Sequence, residues 1–282
     1  MYQPVFRSPL FHLVFSCILF MNMLACSSSE ESVSKPSLLI EYIGHASFKL
    51  SMADQSILLD PFADHVWIGY DFPKDITANA IFSTHPHYDH DGGIFRGLHP
   101  YWEGQMPIHQ DPGNYQIGEF KIKGIKGKHC DPYGKEFGQK NTIWIMEVAG
   151  LRLAHWGDNG PITDSLANLL KDIDILMIPI DDEEHILKNE ELAEVLEKVN
   201  PTVIIPMHYK LAELEREEGK PQFLGTLDDF LKDKTNIKHL EANSFAFSKD
   251  NLPESPQFWI FQHSPALRPA GEVKSVVMPQ KQ

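Results

Sequence analysis

Ser83-Thr84-His85-Pro86-His87-Tyr88-Asp89-His90-Asp91-Gly92 is the stretch that decides how this sequence reads. Three histidines and an aspartate fall within six positions, spaced H-x-H-x-D-H, directly after the apolar run Ala80-Ile81-Phe82. That run has the composition of a buried strand. In a turn leaving a strand, side chains two positions apart swing to one side. His85 and His87 therefore offer ring nitrogens to a single cation, while Asp89 and His90 point to a second position beside it. Imidazole and carboxylate donors without a thiolate suit zinc, iron, manganese or nickel at an open hydrolytic site rather than a closed structural one. A chain with fourteen histidines places some at turns by coincidence. Coincidental histidines scatter, however, and come without an interposed aspartate at a strand exit.

Working outward, the same arrangement recurs. Upstream, residues 38–43, 47–50 and 57–59 read as a β-meander. Gly44-His45-Ala46-Ser47 forms its first corner, and Asp60-Pro61-Phe62 bends the chain away from the third strand. Downstream, 96–118 is rich in Pro, Gly and aromatic residues and reads as an irregular pocket wall. Residues 120–125 alternate like an edge strand and lead to His129. A strand pair at 142–148 and 151–154 ends in His155-Trp156-Gly157-Asp158. The pattern then turns to α/β. A helix is expected around Leu166, Leu169 and Leu170, then an apolar strand at 173–180. Leu192, Val195, Leu196 and Val199 recur at i, i+3, i+4 and i+7 in an amphipathic helix stopped by Pro201. The strand 203–208 ends in His208, and a helix at 223–231 precedes short β-runs near 237–240 and 258–261. Four strand exits thus carry metal-type residues: His85, His87, Asp89 and His90 at one, then His129, Asp158 and His208. In a layered α/β fold such ends converge on one rim of a sheet.

The totals narrow the function. With 282 residues, 42% hydrophobic and 23% charged, the composition is that of an ordinary globular chain, enough for one large domain or two small ones. A net charge of −14 argues against a nucleic-acid partner, whose binders cluster Lys and Arg. A small anionic substrate stays compatible, because bound cations attract it. Cys17 and Cys26 lie in the N-terminal apolar segment, so the body has Cys130 alone and no internal disulfide. Cys130 reads as a buried thiol rather than a ligand, although it adjoins His129.

Residues 1–26 read as an export signal: Arg7 is the only charged side chain before Glu30, and 10–25 is mostly apolar. That segment is too short, and too interrupted by His12, Ser16 and Asn22, to span a membrane. Met23-Leu24-Ala25-Cys26 followed by serines resembles a bacterial lipoprotein cleavage site, with Cys26 the lipidated residue. The expected organisation is a signal at 1–26, a flexible tether at 27–36, one domain at 37–263 and a loose tail at 264–282. The expected location is the bacterial cell envelope, with a lipid anchor as the sole membrane attachment.

Taken together, Gly44-His45-Ala46-Ser47, Asp60-Pro61-Phe62, His85-Pro86-His87-Tyr88-Asp89-His90, His129, His155-Trp156-Gly157-Asp158 and Pro206-Met207-His208-Tyr209 resemble the metallo-β-lactamase-fold hydrolases over roughly residues 38–261. Within them the chain is similar to the branch holding bacterial metal-dependent hydrolases of unknown substrate and the ascorbate-phosphate lactonases. The resemblance implies an α/β fold, a four-layer αββα sandwich, with one or two metals at the sheet rim. It places the first metal on His85, His87 and His129 and the second on Asp89, His90 and His208, with Asp158 bridging. Asp60 would orient a ligand imidazole from outside. His45 would sit near the site, either supporting a ligand or simply forming the corner. His65, His99, His109, His239 and His263 read as surface or core residues, and His155 as packed. Where related chains carry a glycine-rich loop, this one has Asp181-Asp182-Glu183-Glu184-His185, read as a solvated charge run.

The chemistry follows from those ions. Two divalent cations, zinc first with manganese, iron or nickel as alternatives, bring a shared water toward neutral pKa and take up developing oxyanion charge. Asp89 would orient that nucleophile and return a proton to the leaving group. No Ser-His-Asp nucleophile elbow and no phosphate-cradling Gly-rich loop is evident. The expected activity is cleavage of an ester, lactone or phosphodiester bond in a small or lipid-like substrate. The alternatives are a catalytically silent metal-binding envelope protein and, behind both, a β-lactamase. Oligomeric state leaves no mark in the sequence.

Overall fold

The computed structural model describes residues 1–2, 37–64, 68–130, 134–135, 138–180, 186–211, 214 and 224–269, with Phe95 by its backbone alone. The chain divides into two units, Met1–Ser34 and Lys35–Gln282. The export signal beyond Tyr2, Cys26, the tether, His65, the acidic run 181–185 and the tail from 270 lie outside the described residues.

In β1 (Leu38–Gly44), Leu38, Ile40 and Tyr42 are buried while Leu39 and Glu41 are partly exposed, so one face of the strand meets the core. It pairs antiparallel with β2 (Ser47–Met52), which pairs antiparallel with β3 (Gln55–Leu59), giving the expected meander. After β4 (Tyr70–Asp71), β5 (Ala80–Phe82) joins β3 in parallel, and β6 (Ile108–His109) joins β5 in parallel. The strands β7 (Gly113–Ile117), β8 (Phe120–Lys128), β9 (Lys140–Val148) and β10 (Leu151–His155) run antiparallel in succession. Crossovers through α1 (Asp164–Leu169) and α2 (Asn189–Val199) then set β11 (Ile175–Pro179) and β12 (Val203–Met207) parallel to β10. Every residue of β11 and β12 is buried, as expected of strands covered on both faces. The chain closes with α3 (Leu227–Leu231), β13 (Ile237–His239), β14 (Ser244–Phe247), β15 (Gln257–Ile260) and β16 (Arg268–Pro269).

These strands form a six-stranded sheet, β14-β1-β2-β3-β5-β6, and an eight-stranded sheet, β13-β15-β12-β11-β10-β9-β8-β7, beside the pair β16-β4. Aromatic side chains knit the two large sheets together. Phe82 of β5 meets Trp144 of β9 edge-on with centroids 5.0 Å apart, and Phe247 of β14 lies 5.0 Å from Trp259 of β15. The α/β sandwich is therefore present, with its helical cover unevenly developed. Among the described residues the three α-helices all follow β10, and the link from β5 to β6 carries one 3-10 turn, Ile94–Arg96.

Strand direction positions the site. β1, β3 and β5 run the same way, as do β8, β10, β11 and β12, so each set delivers its C-terminal ends to one edge of its sheet. Every candidate site residue sits just past one of those ends.

Some local readings differ from the expectation. The strand at 120–125 is not an edge, because β7 pairs outside it. The pocket wall at 96–118 contains β6 and β7. The helix expected at 223–231 starts at Leu227, where Thr226 Oγ1 caps it by accepting Asp229 N–H. The tail expected to be loose from 264 begins with packed residues. Ser264 N–H donates to Ile43 O, Leu267 is buried, and Arg268–Pro269 pair with Tyr70–Asp71. Leu267 supplies the apolar anchor that holds them down.

Candidate metal centre

Two groups of donors meet where the strand ends converge. In one, His85, His87, His129 and Asp158 each offer a ligand atom, all within 4.8 Å of one another; in the other, His45, Asp89, His90 and His208 do the same. Asp158 lies between them. Its Oδ2 is 3.6 Å from His85 Nε2 and 3.5 Å from His129 Nε2, while its Oδ1 is 3.3 Å from His90 Nε2 and 3.6 Å from His208 Nε2. Asp89 Oδ2 stands 3.6 Å from His90 Nε2 and 3.9 Å from His208 Nε2. The structure thus brings all seven expected ligands together and adds His45 to the second group. His99, His109, His239 and His263 belong to neither group. His155 is packed, its Nε2 donating to Ala46 O at 2.8 Å.

The backbone reaches this arrangement through strained corners. His45, Asp60 and His208 have φ of 53°, 39° and 61°, the left-handed region that costs a non-glycine residue on the order of 1–3 kcal/mol. His208 N–H donates to His45 O at 2.9 Å, tying the end of β12 to the corner after β1. Gly157 has φ 60°, and a Cβ there would fall 2.6 Å from Asn141 Oδ1 and 2.7 Å from Thr84 Cβ. Only glycine fits between those two side chains.

Neighbouring side chains hold the donors in place. Asp60 Oδ2 accepts from His90 Nδ1 at 2.7 Å. His45 Nε2 lies 3.2 Å from Asp89 Oδ2, and its ring packs 3.9 Å from that of His208. Asn141 Oδ1 accepts Asp158 N–H, and Asn159 Oδ1 accepts Lys128 N–H one residue before His129. His129 Nδ1 lies 3.1 Å from Cys130 O, which turns Nε2 inward; Cys130 itself is buried and in no disulfide among the described residues. The sequence reading passed over Thr84, Asn141 and Asn159. Thr84 directly precedes His85 and Asn159 directly follows Asp158, but nothing in the sequence gave either a partner.

Burial and mutual charge set the electrostatics. Burial, helped by neighbouring imidazoles, pushes His85 and His87 down from the ordinary histidine value. Burial and then His208 take His45 down to about 3. Burial also acts against charge on His90, but Asp158, Asp89 and Asp60 outweigh it and hold that imidazole well above its ordinary value. For Asp89 and Asp158 burial works upward. The imidazoles around each, His90 foremost, override it and keep both well below the usual carboxylate range.

The donor set suits divalent cations. Buried polar atoms are normally hydrogen-bonded, yet His90 Nε2, His129 Nε2 and Asp158 Oδ1 are buried and make no hydrogen bond among the described residues. All three face the space between the groups, where nitrogen and oxygen donors converge as they would around cations.

Known proteins agree with that reading. The beta-lactamase superfamily domain matches residues 39–208. The chain belongs to this family. The matched span of the beta-lactamase superfamily domain runs from β1 to His208, so it takes in all seven expected ligands. A metal-dependent hydrolase of Carboxydothermus hydrogenoformans is 28% identical over 190 residues, covering 60% of this chain and 84% of that one. One from Natranaerobius thermophilus is 27% identical over 195 residues, covering 60% and 82%. Among solved structures, a protein of Thermotoga maritima described as a Zn-dependent hydrolase of the metallo-β-lactamase superfamily superposes with a TM-score of 0.59. It is 25% identical, covering 80% of this chain and all of that one.

Proposed function

We propose that this member of the family is an exported metal-dependent hydrolase that cleaves an ester, lactone or phosphodiester bond in a small or lipid-like substrate. The hydrolase class follows from the family and from relatives that carry that description. The observation that carries the reading is the placement of Asp158, each oxygen facing imidazoles of a different group. In that arrangement His85, His87 and His129 would hold one divalent cation and Asp89, His90 and His208 the other, with Asp158 between them. Such ions, zinc first with manganese, iron or nickel as alternatives, supply hydroxide at neutral pH and stabilise developing negative charge when bound.

The protein's own residues do the rest. Asp89, kept ionised by its imidazole neighbours, holds a water in line, takes the proton that water gives up on attack and passes it to the leaving group. His45 keeps Asp89 turned inward through its contact at Oδ2. Asp60 fixes His90 from behind. Of the seven ligands, His87 alone is partly exposed, and its neighbour Tyr88 is too, so a substrate approaches from that side. The core around the other ligands excludes bulk water, which strengthens every charge interaction inside.

Residues 1–26 as an export signal, with lipidation at Cys26, place the domain at a bacterial envelope and make a lipid-like ester or phosphodiester an accessible substrate. No nucleic-acid role fits a net charge of −14.

The experiment is a hydrolysis panel of bis(p-nitrophenyl) phosphate, lactones and aryl esters on metal-loaded wild type and His87→Ala. Turnover by wild type, with both turnover and metal lost in the variant, is expected. Wild type that takes up two metals yet cleaves nothing on the panel would instead favour a silent metal-binding protein.

A further inference from the structure

Asp60 is wholly buried and lies outside both donor groups, yet its two oxygens accept three hydrogen bonds. Oδ1 takes Thr84 N–H at 2.7 Å; Oδ2 takes the Thr84 hydroxyl at 2.7 Å and His90 Nδ1–H at 2.7 Å. A threonine hydroxyl has one proton to give, and here it goes to Asp60. The remaining contact of that hydroxyl, 3.0 Å to His85 Nδ1, therefore has Nδ1–H as donor and Thr84 Oγ1 as acceptor. His85 Nε2 is then left with a bare lone pair, and it faces His87 Nδ1 at 2.8 Å and Asp158 Oδ2 at 3.6 Å. His90 is oriented the same way by its direct bond, with Nε2 facing Asp158 Oδ1 at 3.3 Å.

We propose that Thr84 is a positioning residue that relays Asp60 to His85, so that one buried carboxylate fixes the inward-facing nitrogen of an imidazole in each donor group. The relay deepens the metal-centre reading and rests on it for its purpose, though its proton arrangement exists without any ion. It also explains why Thr84 Cβ sits against Gly157: moving either would swing His85 or Asp158 out of line.

The arrangement is asymmetric, and the asymmetry can be measured. Partners that orient metal-ligating imidazoles are worth roughly 10–100-fold in metal affinity. Thr84→Val keeps the shape of the side chain and removes the relay. It should weaken cobalt(II) or zinc binding in the His85 group by about that factor and leave the His90 group unchanged, while Thr84→Ser restores wild-type affinity. Asp60→Asn should weaken both. Equal weakening of both groups by Thr84→Val, or no rescue by serine, would overturn the relay.

A second readout needs neither metal nor variant. Long-range 1H–15N correlation on metal-stripped wild type should show His85 as the Nδ1–H tautomer, and an Nε2–H tautomer there would overturn the proposal even if Thr84→Val fails to fold. Should wild type bind no metal but His85 carry Nδ1–H, the relay stands and the metal-centre reading falls. The two failures are therefore told apart.

Discussion

Changing the pH should separate the two metal groups, because their imidazoles hold protons differently. His90 is ringed by Asp60 Oδ2 at 2.7 Å, Asp158 Oδ1 at 3.3 Å and Asp89 Oδ2 at 3.6 Å. Burial opposes its charge, but these carboxylates prevail and hold it well above 6.5, so metal-free His90 is protonated near neutrality. A cation entering that group must displace the proton. One proton per ion makes affinity rise about tenfold per pH unit, close to 1.4 kcal/mol, until pH passes the raised value of His90. His85 and His87 are pushed below 6.5 by burial and have no proton to lose above neutrality. Their group should bind with a flat profile between about pH 7 and about pH 8.

Competition titration against a chromophoric chelator at the two pH values, with buffer-dependent calorimetry to count protons, measures both slopes. Identical slopes, or a flat profile for the His90 group, would refute the reasoning. The same shifts govern the metal-free fold. Stabilisation from the raised His90 is full below its unfolded value of 6.5 and is lost as pH rises through its folded value. That from Asp89 and Asp158, both lowered, is present above 3.8 and is lost as pH falls through their folded values. The lowered His45, His85 and His87 act below 6.5, where their unfolded forms take up protons that the folded ones do not, so metal-free protein should be most stable near pH 6.5 and lose stability on both sides.

Other outcomes follow from single positions. Gly157→Ala forces a side chain into left-handed backbone against Asn141, costing at least about 1–2 kcal/mol in denaturant unfolding and displacing Asp158; unchanged stability and metal content would contradict the packing. His45→Gly relieves the φ of 53° while removing the donor to Asp89, so the fold should persist and kcat should fall. Asparagine at 45, which tolerates that φ and carries an N–H donor, should recover part of the loss, and no difference between the two variants would count against the contact. Asp89→Asn should reduce turnover by about 10²–10⁴-fold while the His85 group still binds its ion; undiminished turnover would remove Asp89 from the chemistry. Cys26→Ser should move the protein out of the membrane fraction and end fatty-acid labelling, and retained labelling would rule out that anchor.

Much of this molecule was legible because its site lies at strand ends. A strand leaves a period-two or all-apolar signature, and a ligand placed just after it stands out, as His129 does after β8 and His208 after β12. Spacing within the H-x-H-x-D-H run then marks two positions without any knowledge of the fold. Strands lacking that signature were missed. β7 opens with Gly113-Asn114, turn residues that mask its pairing to β8, and β14 holds only four residues, Ser244–Phe247. The supporting side chains were invisible for a different reason. Thr84, Asn141 and Asn159 act through hydrogen bonds to residues 15 to 31 positions away, such as Asn141 to Trp156 O, Thr84 to Asp60 and Asn159 to Lys128, and a polar residue beside a strand end carries no mark of its partner. For His45 the sequence leaves a supporting role and a plain corner both open, and its distance to Asp89 and His208 makes it part of the centre.

The central claim is that seven side chains from four strand exits surround a pair of cations. Anomalous diffraction at the metal edge, on crystals of the metal-loaded protein, tests it most directly. Two peaks flanking Asp158 are expected at coordination distance, about 2 Å, one from His85, His87 and His129 and the other from Asp89, His90 and His208. No peak beside Asp158, or peaks held by other residues, would contradict the account.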